Sequence, residues 1–385
     1  MNIRNTLLVF ILLFLMAFSP KGRCAENILF ETKLQPPLDA ILLPVTIKEK
    51  TYTFLFDTGA TLTIFDKSLE FLLGEPLNIK LEAETSTGKL PLSYYNPIDV
   101  MLGKINLKTK LPFMTADLKF AGKVLGREIQ GVFGMNFIHQ YIWKLDFDEK
   151  IIQILSSNTT LSPDNYDTMI DIHPTPRLVP VIMIDMIEKS VPFIIDTGDT
   201  GTGRLTKDVI DLMIEKKLVS DVASDTTVSL SGIPLKRRVR VNHFKVGPFE
   251  YSSLLMYESQ QNAIGLRFLK RHRFILDFPN KKLYLGKGLY SFVLDREDKS
   301  GIKIINDKGL IVIGFVDVRG PAAVIGLKKG DVIKSINKMP VDGNDLPRIR
   351  NILKGKNGEK ILIKIDRHGK SIEAPLILKK GYDHL

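Results

Sequence analysis

The chain has 385 residues, enough for two or three domains, since a single hydrophobic core usually stops growing beyond about 250 residues. Its hydrophobic and charged fractions, 44% and 25%, are those of ordinary globular proteins and exclude wholesale disorder and a multi-span membrane protein. The formal charge of +11 is scattered along the chain, the pattern of a solvated surface rather than of a nucleic-acid binder.

At the start, Arg4 precedes an unbroken apolar run from Leu7 to Phe18, followed by Ser19 and Pro20. This is the layout of a secretory signal, and the run falls short of the roughly 20 apolar residues of a spanning helix. Gly22 and Cys24 suit a small-x-small cleavage site, so residues 1–24 are expected to be a signal peptide and the mature protein to be exported, either periplasmic or secreted. Lys21, three residues before Cys24, breaks the pattern of a lipid-modified cysteine. Cys24 is the single cysteine, so a mature chain starting at Ala25 has no thiol and no disulfide.

Downstream of this segment the chain is organised by an internal repeat. Leu43-Pro44-Val45-Thr46-Ile47, a turn at Lys48-Glu49-Lys50 and Phe54-Leu55-Phe56-Asp57-Thr58-Gly59 are answered by Val179-Pro180-Val181-Ile182-Met183-Ile184, a turn near Glu188-Lys189 and Phe193-Ile194-Ile195-Asp196-Thr197-Gly198. Each half predicts a β-hairpin that ends in a sharp glycine turn. Further along, Gly131-Val132-Phe133-Gly134 is matched by Ala263-Ile264-Gly265, and Trp143 to Phe147 by Phe274 to Phe278. The polar stretch Ser156 to Asn165 reads as the linker between halves. Short β-branched and aromatic runs dominate both halves, with one clear helical stretch from Lys207 to Lys217.

An Asp at the end of an apolar strand, followed by Thr and Gly and present twice, resembles the catalytic loops of the pepsin and retroviral protease superfamily. The resemblance covers about Ala40 to Gly286. It implies a mainly β fold of duplicated acid-protease β-barrel lobes, at 25–155 and 169–286, and aspartic endopeptidase activity by a dyad of Asp57 and Asp196. Two carboxylates about 3 Å apart cannot both ionise, so one accepts a proton from water while the other donates. The family assigns Thr58 and Thr197 to hydrogen bonds locking the two loops, and Gly59 and Gly198 to flexible backbone beside the carboxylates. Where the family often has Ser or Thr after the triplet, this chain has Ala60 and Asp199. An inward-pointing Asp199 would add a third negative charge and raise the dyad's titration range. Flap turns over the substrate are expected at Ser86, Thr87 and Gly88, or at Ser231 and Gly232. The run Gly198 to Gly203 lacks the Gly-Lys-Ser/Thr ending of a phosphate loop, and the six histidines have no zinc spacing, so neither cofactor nor metal is expected.

After a connecting stretch at Asp295 to Lys299, the segments Gly309 to Val316, Gly320-Pro321-Ala322-Ala323 and Gly326 to Asn337 resemble a bacterial PDZ domain, a small α+β module expected over 298–381. Pro321 suits the opening of a short helix, and Leu346 to Leu353 is the candidate groove helix. Such domains add a peptide to a sheet edge and hold its terminal carboxylate, here with Gly301, Ile302 and Ile304 as the candidate loop and edge. The expected partners are a peptide or protein substrate and a C-terminal peptide ligand. The competing reading is an inactive pseudo-protease that serves as a peptide-binding PDZ adaptor, kept open by Asp199.

Overall fold

A computed structural model describes residues 27–79, 82–85, 88–159, 161, 165–187, 189–226 and 235–380. The molecule is built almost entirely of strands. In lobe one the strands Leu42–Ile47 and Lys50–Phe56 form the expected hairpin, in register from Leu42 with Leu55 to Ile47 with Lys50. The two-residue turn that joins them, Lys48-Glu49, has φ of +46° and +67°, the left-handed geometry that matches the twist of a tight hairpin, here without glycine. Lobe two repeats the pattern with Pro180–Met186 and Lys189–Asp196.

Each hairpin delivers its second strand to the middle of an eight-stranded sheet, where it pairs parallel with the strand after it in space: Phe54, Leu55 and Phe56 lie beside Gly131, Val132 and Phe133, and Ile194, Ile195 and Asp196 beside Ala263, Ile264 and Gly265. The apolar run before each Asp is therefore central and buried, as Phe54, Phe56, Phe193 and Ile195 all are. Gly131 is obligatory here, because a Cβ would come within 2.1 Å of the Phe54 ring.

The segments Trp143 to Phe147 and Phe274 to Phe278, matched in sequence, also meet in space. Strands Ile142–Asp146 and His272–Asp277 pair antiparallel at the centre of a six-stranded sheet that joins the lobes. Its outer strands, Ile28–Lys33 with Ile151–Leu155 on one side and Thr168–Asp171 with Lys282–Lys287 on the other, complete a two-fold arrangement. One continuous apolar core runs through both lobes, from Phe56 and Trp143 to Phe268 and Leu276.

The C-terminal module has its own core around Ile313, Ile333, Ile349 and Ile363. Its sheet starts with Ile302–Asp307 at the edge, followed by Leu310–Val316, Val332–Ile336, Lys360–Arg367 and Lys370–Ile377. Pro321 opens a short helix, and Leu346–Ile352 forms the second. The helix expected in lobe two spans Lys207–Glu215, and a short one follows at Leu266–Leu269. No helix among the described residues is long and apolar enough to cross a membrane.

The connecting stretch Asp295 to Lys299 is anchored along its length. Asp295 and Glu297 are buried: Asp295 accepts from Arg271 at 2.9 Å, from Thr202 at 2.7 Å and from the Leu255 N–H at 2.9 Å, while Glu297 pairs with Arg238 at 3.0 Å and Arg240 at 3.2 Å. A run of charges is usually solvated; here Asp295 and Glu297 meet arginines from lobe two, so the segment clamps the module to that lobe.

Candidate active site

The two Asp-Thr-Gly turns face one another across the lobe boundary. Thr58 donates its hydroxyl to the Ile195 carbonyl at 2.6 Å, and Thr197 donates its own to the Phe56 carbonyl at 2.9 Å. Each threonine oxygen also accepts the other's backbone N–H at 3.0 Å. Both side chains are fully buried, so this reciprocal lock satisfies polar groups that would otherwise be orphaned.

The lock brings the carboxylates together. A Cβ added to Gly59 would lie 2.7 Å from Asp196 Oδ1, and one added to Gly198 would lie 2.4 Å from Asp57 Oδ2. Each glycine is thus needed because the opposite lobe's carboxylate presses on its backbone. Asp57 accepts the Gly59 N–H at 2.8 Å, and Asp196 accepts the Asp199 N–H at 3.0 Å. Although part of Asp57 remains accessible, burial, followed by the charge of Asp196, pushes its carboxyl up to about 7.

Asp199 points inward. Its Oδ1 accepts the Gly201 N–H at 2.8 Å, and its Oδ2 lies 3.4 Å from Arg204 Nε. Burial, partly countered by Arg204, raises the Asp199 carboxyl above its ordinary range. The third acid is present behind the dyad, but it faces a cation, and the elevation at Asp57 comes instead from burial and Asp196.

Arg204 is the residue that sequence reasoning missed. Its Nη2 donates to Asp196 Oδ2 while its Nε faces Asp199. Burial works against its charge, but Asp196 and Asp199 outweigh that and hold it above the ordinary guanidinium value. In lobe one its place is taken by Ile64: Arg204 is paired with Ala263 as Ile64 is with Val132. A signal was present in the charge at the second position of the strand Gly203–Thr206, where the other repeat has the apolar Ile64.

Of the flap candidates, Ser86, Thr87, Ser231 and Gly232 lie outside the described residues. Gly88 begins a strand, Gly88–Pro91, that pairs antiparallel with Glu82–Thr85, so a hairpin stands at this point in lobe one. Among the described residues no group of three or more His, Cys, Asp or Glu side chains could hold a metal.

A family model for aspartyl proteases matches residues 43–137, and one for PDZ domains matches 312–367. The chain carries an aspartyl protease domain and a PDZ domain. Among solved structures, basic 7S globulin from soybean is similar at 11% identity and a TM-score of 0.41, covering 70% of this chain and 98% of that one. No curated protein matches the chain.

In the PDZ domain, Ile302 and Ile304 point into the core, so only their backbone is available at the edge, and the Gly301 carbonyl accepts the Asp317 N–H at 2.8 Å. That edge lies against protease lobe one. Arg350 Nη2, from the groove helix, donates to the Ile304 carbonyl at 3.0 Å and to the Val124 carbonyl at 2.7 Å; Asp307 pairs with Lys123 at 3.0 Å. At the other end of the strand, Lys303 reaches Asp225 of lobe two at 3.2 Å.

Proposed function

We propose that the chain is an exported aspartic endopeptidase whose PDZ domain recruits or positions peptide substrates. The observation that carries the reading is the reciprocal threonine lock, which seats each lobe's carboxylate against the other lobe's glycine. The N-terminal apolar run supports export.

In this reading Asp57 and Asp196 share one proton. The anionic member takes a proton from water as the oxygen attacks the scissile carbonyl carbon, and the protonated member polarises the carbonyl oxygen. Collapse of the tetrahedral adduct breaks the C–N bond, and the amine leaves with a proton from the dyad. The raised carboxyl of Asp57 is the feature expected of the protonated partner. The hairpin of Glu82–Thr85 and Gly88–Pro91 is the candidate flap.

A digest of a peptide library by the purified chain, run across pH beside Asp57→Asn and Asp196→Asn, tests this. Cleavage by the parent alone is expected. Equal behaviour of all three favours a PDZ adaptor with inactive lobes, a reading that draws on the capture of Asp196 by Arg204.

A further inference from the structure

We propose that Arg204 is a positioning residue that gives the two carboxylates fixed roles, holding Asp196 as the anionic base and leaving Asp57 to carry the shared proton. The inference rests on the dyad reading above and concerns how that dyad is set.

The two carboxylates sit in unlike surroundings despite their matched turns. Among the described residues, Asp57 is met by neutral backbone donors alone, the Gly59 N–H at 2.8 Å with the Ala60 N–H also directed toward it. Asp196 accepts on both oxygens, from the Asp199 N–H at 3.0 Å and from the Arg204 guanidinium. A charged donor favours the anion far more than a backbone amide does. Each Asp196 oxygen keeps a second lone pair, so the carboxylate remains able to take a proton from water.

Asp199 explains how the arginine is held. Its Oδ1 is tied to the Gly201 N–H, and its Oδ2 lies 3.4 Å from Arg204 Nε, an ion pair without a hydrogen bond. The guanidinium therefore lies between two carboxylates, paired with Asp199 by charge and hydrogen-bonded through Nη2 to Asp196. Among the described residues, the other charged or titratable groups set about this trio are Asp57 itself, Arg267 from the short helix Leu266–Leu269, and Tyr257, which pairs with Arg204 on the neighbouring strand. Arg267 adds positive charge near Asp199. Tyr257 stays neutral, since burial and then Asp225 raise its hydroxyl. With one proton on Asp57, the two remaining anions face Arg204, and the site avoids three unpaired negative charges.

The sign of the effect makes it testable. Removing Arg204 takes away a cation that favours both ionisations of the dyad, so the two limbs of the kcat/KM profile should move to higher pH in Arg204→Met, by about one unit or more. Asp199→Asn removes an anion and should move them to lower pH, and Arg204→Lys should recover most of the parent profile. A packing defect would lower activity without moving the limbs in opposite directions. Unchanged limbs in both Arg204→Met and Asp199→Asn would overturn the proposal.

A second readout is independent of turnover. In full-length protein labelled with carboxyl-13C aspartate, the Asp57 resonance, assigned by its loss in Asp57→Asn, should titrate at higher pH in Arg204→Met than in the parent. An Asp57 titration identical in the two would also overturn the role of Arg204. Absence of cleavage by the parent chain, with the shift present, would instead count against the endopeptidase reading alone.

Discussion

Lobe one and lobe two solve the same structural problem with different chemistry. In lobe one the strand after the catalytic turn is held by neutral hydrogen bonds: Asn136 Oδ1 accepts the N–H of Thr63 at 2.9 Å and its hydroxyl at 2.8 Å, and Thr63 Oγ1 accepts the Gly134 N–H at 3.2 Å. In lobe two the matching positions are Arg267 and Gly203, and order comes from the Asp199–Arg204–Asp196 ion pairs. A duplicated fold needs the threonine lock and glycines in both copies, because these act across the boundary. The residues behind each turn act within one copy and are free to diverge, which is where a symmetric scaffold acquires an asymmetric pair of acids.

The largest effect expected from breaking this comparison is on turnover. On the dyad proposed above, which sets general acid and base on different lobes, Asp57→Asn and Asp196→Asn should each lower kcat/KM by about 10³-fold or more. Their stabilities should part company, as urea unfolding at pH 8 would show. The fold raises the Asp57 carboxyl from 3.8 to about 7, so the native state binds a proton that the unfolded chain has released. That contribution to stability is whole below about pH 4 and lost as pH rises through about 7. Asp57→Asn should therefore be more stable than the parent at pH 8, on the order of 2 kcal/mol, and the gap should close toward pH 4. Asp196→Asn should be less stable, because it leaves the half-buried Arg204 with Asp199 alone.

The anchoring of the PDZ domain offers a second contrast between lobes. Toward lobe two the attachment is buried: Asp295 and Arg271 are almost wholly enclosed, and Asp295→Ala should cost about 3–5 kcal/mol in unfolding free energy by leaving Arg271 uncompensated. The threonine lock predicts parity instead. Thr58→Val and Thr197→Val each remove a hydroxyl donor and an acceptor for a buried N–H, so each should lose about 2–3 kcal/mol; a difference above about 0.5 kcal/mol would show that the lock is unequal.

Much of this architecture is legible from residues alone. The two Asp-Thr-Gly turns, the glycine elements at Gly134 and Gly265 and the matched strands at Trp143 and Phe274 mark the duplication, because a turn wedged between central strands tolerates few residue types. Arg204 is hidden by a one-residue insertion. The Ala60 and Asp199 carbonyls accept from Met135 and Leu266, but those of Thr61 and Gly201 accept from Asn136 and Arg267, so Thr200 is extra. A constant offset of 139 sets Ile64 against Gly203, and the charge falls out of register with its apolar counterpart. Asp295 and Glu297 look like a connector because their arginine partners are 24 to 59 residues away in sequence, beyond any local pattern.

The smallest effect lies where the PDZ edge strand meets lobe one. Lys123 and Asp307 are each about one-third or more exposed, and an exposed pair contributes about 0.2–1 kcal/mol. Lys123→Glu should leave global unfolding within that range of the parent. It should still matter locally, because the pair sits at the end of the strand whose Ile304 carbonyl is tied to Arg350, which also reaches Val124. Hydrogen exchange of residues 302–307 should quicken by up to about fivefold, the factor that 1 kcal/mol represents, with no change at Asp295 to Lys299. Equal acceleration at both segments would mean that the PDZ domain moves as one body against both lobes, and that the buried clamp on lobe two does not hold it independently.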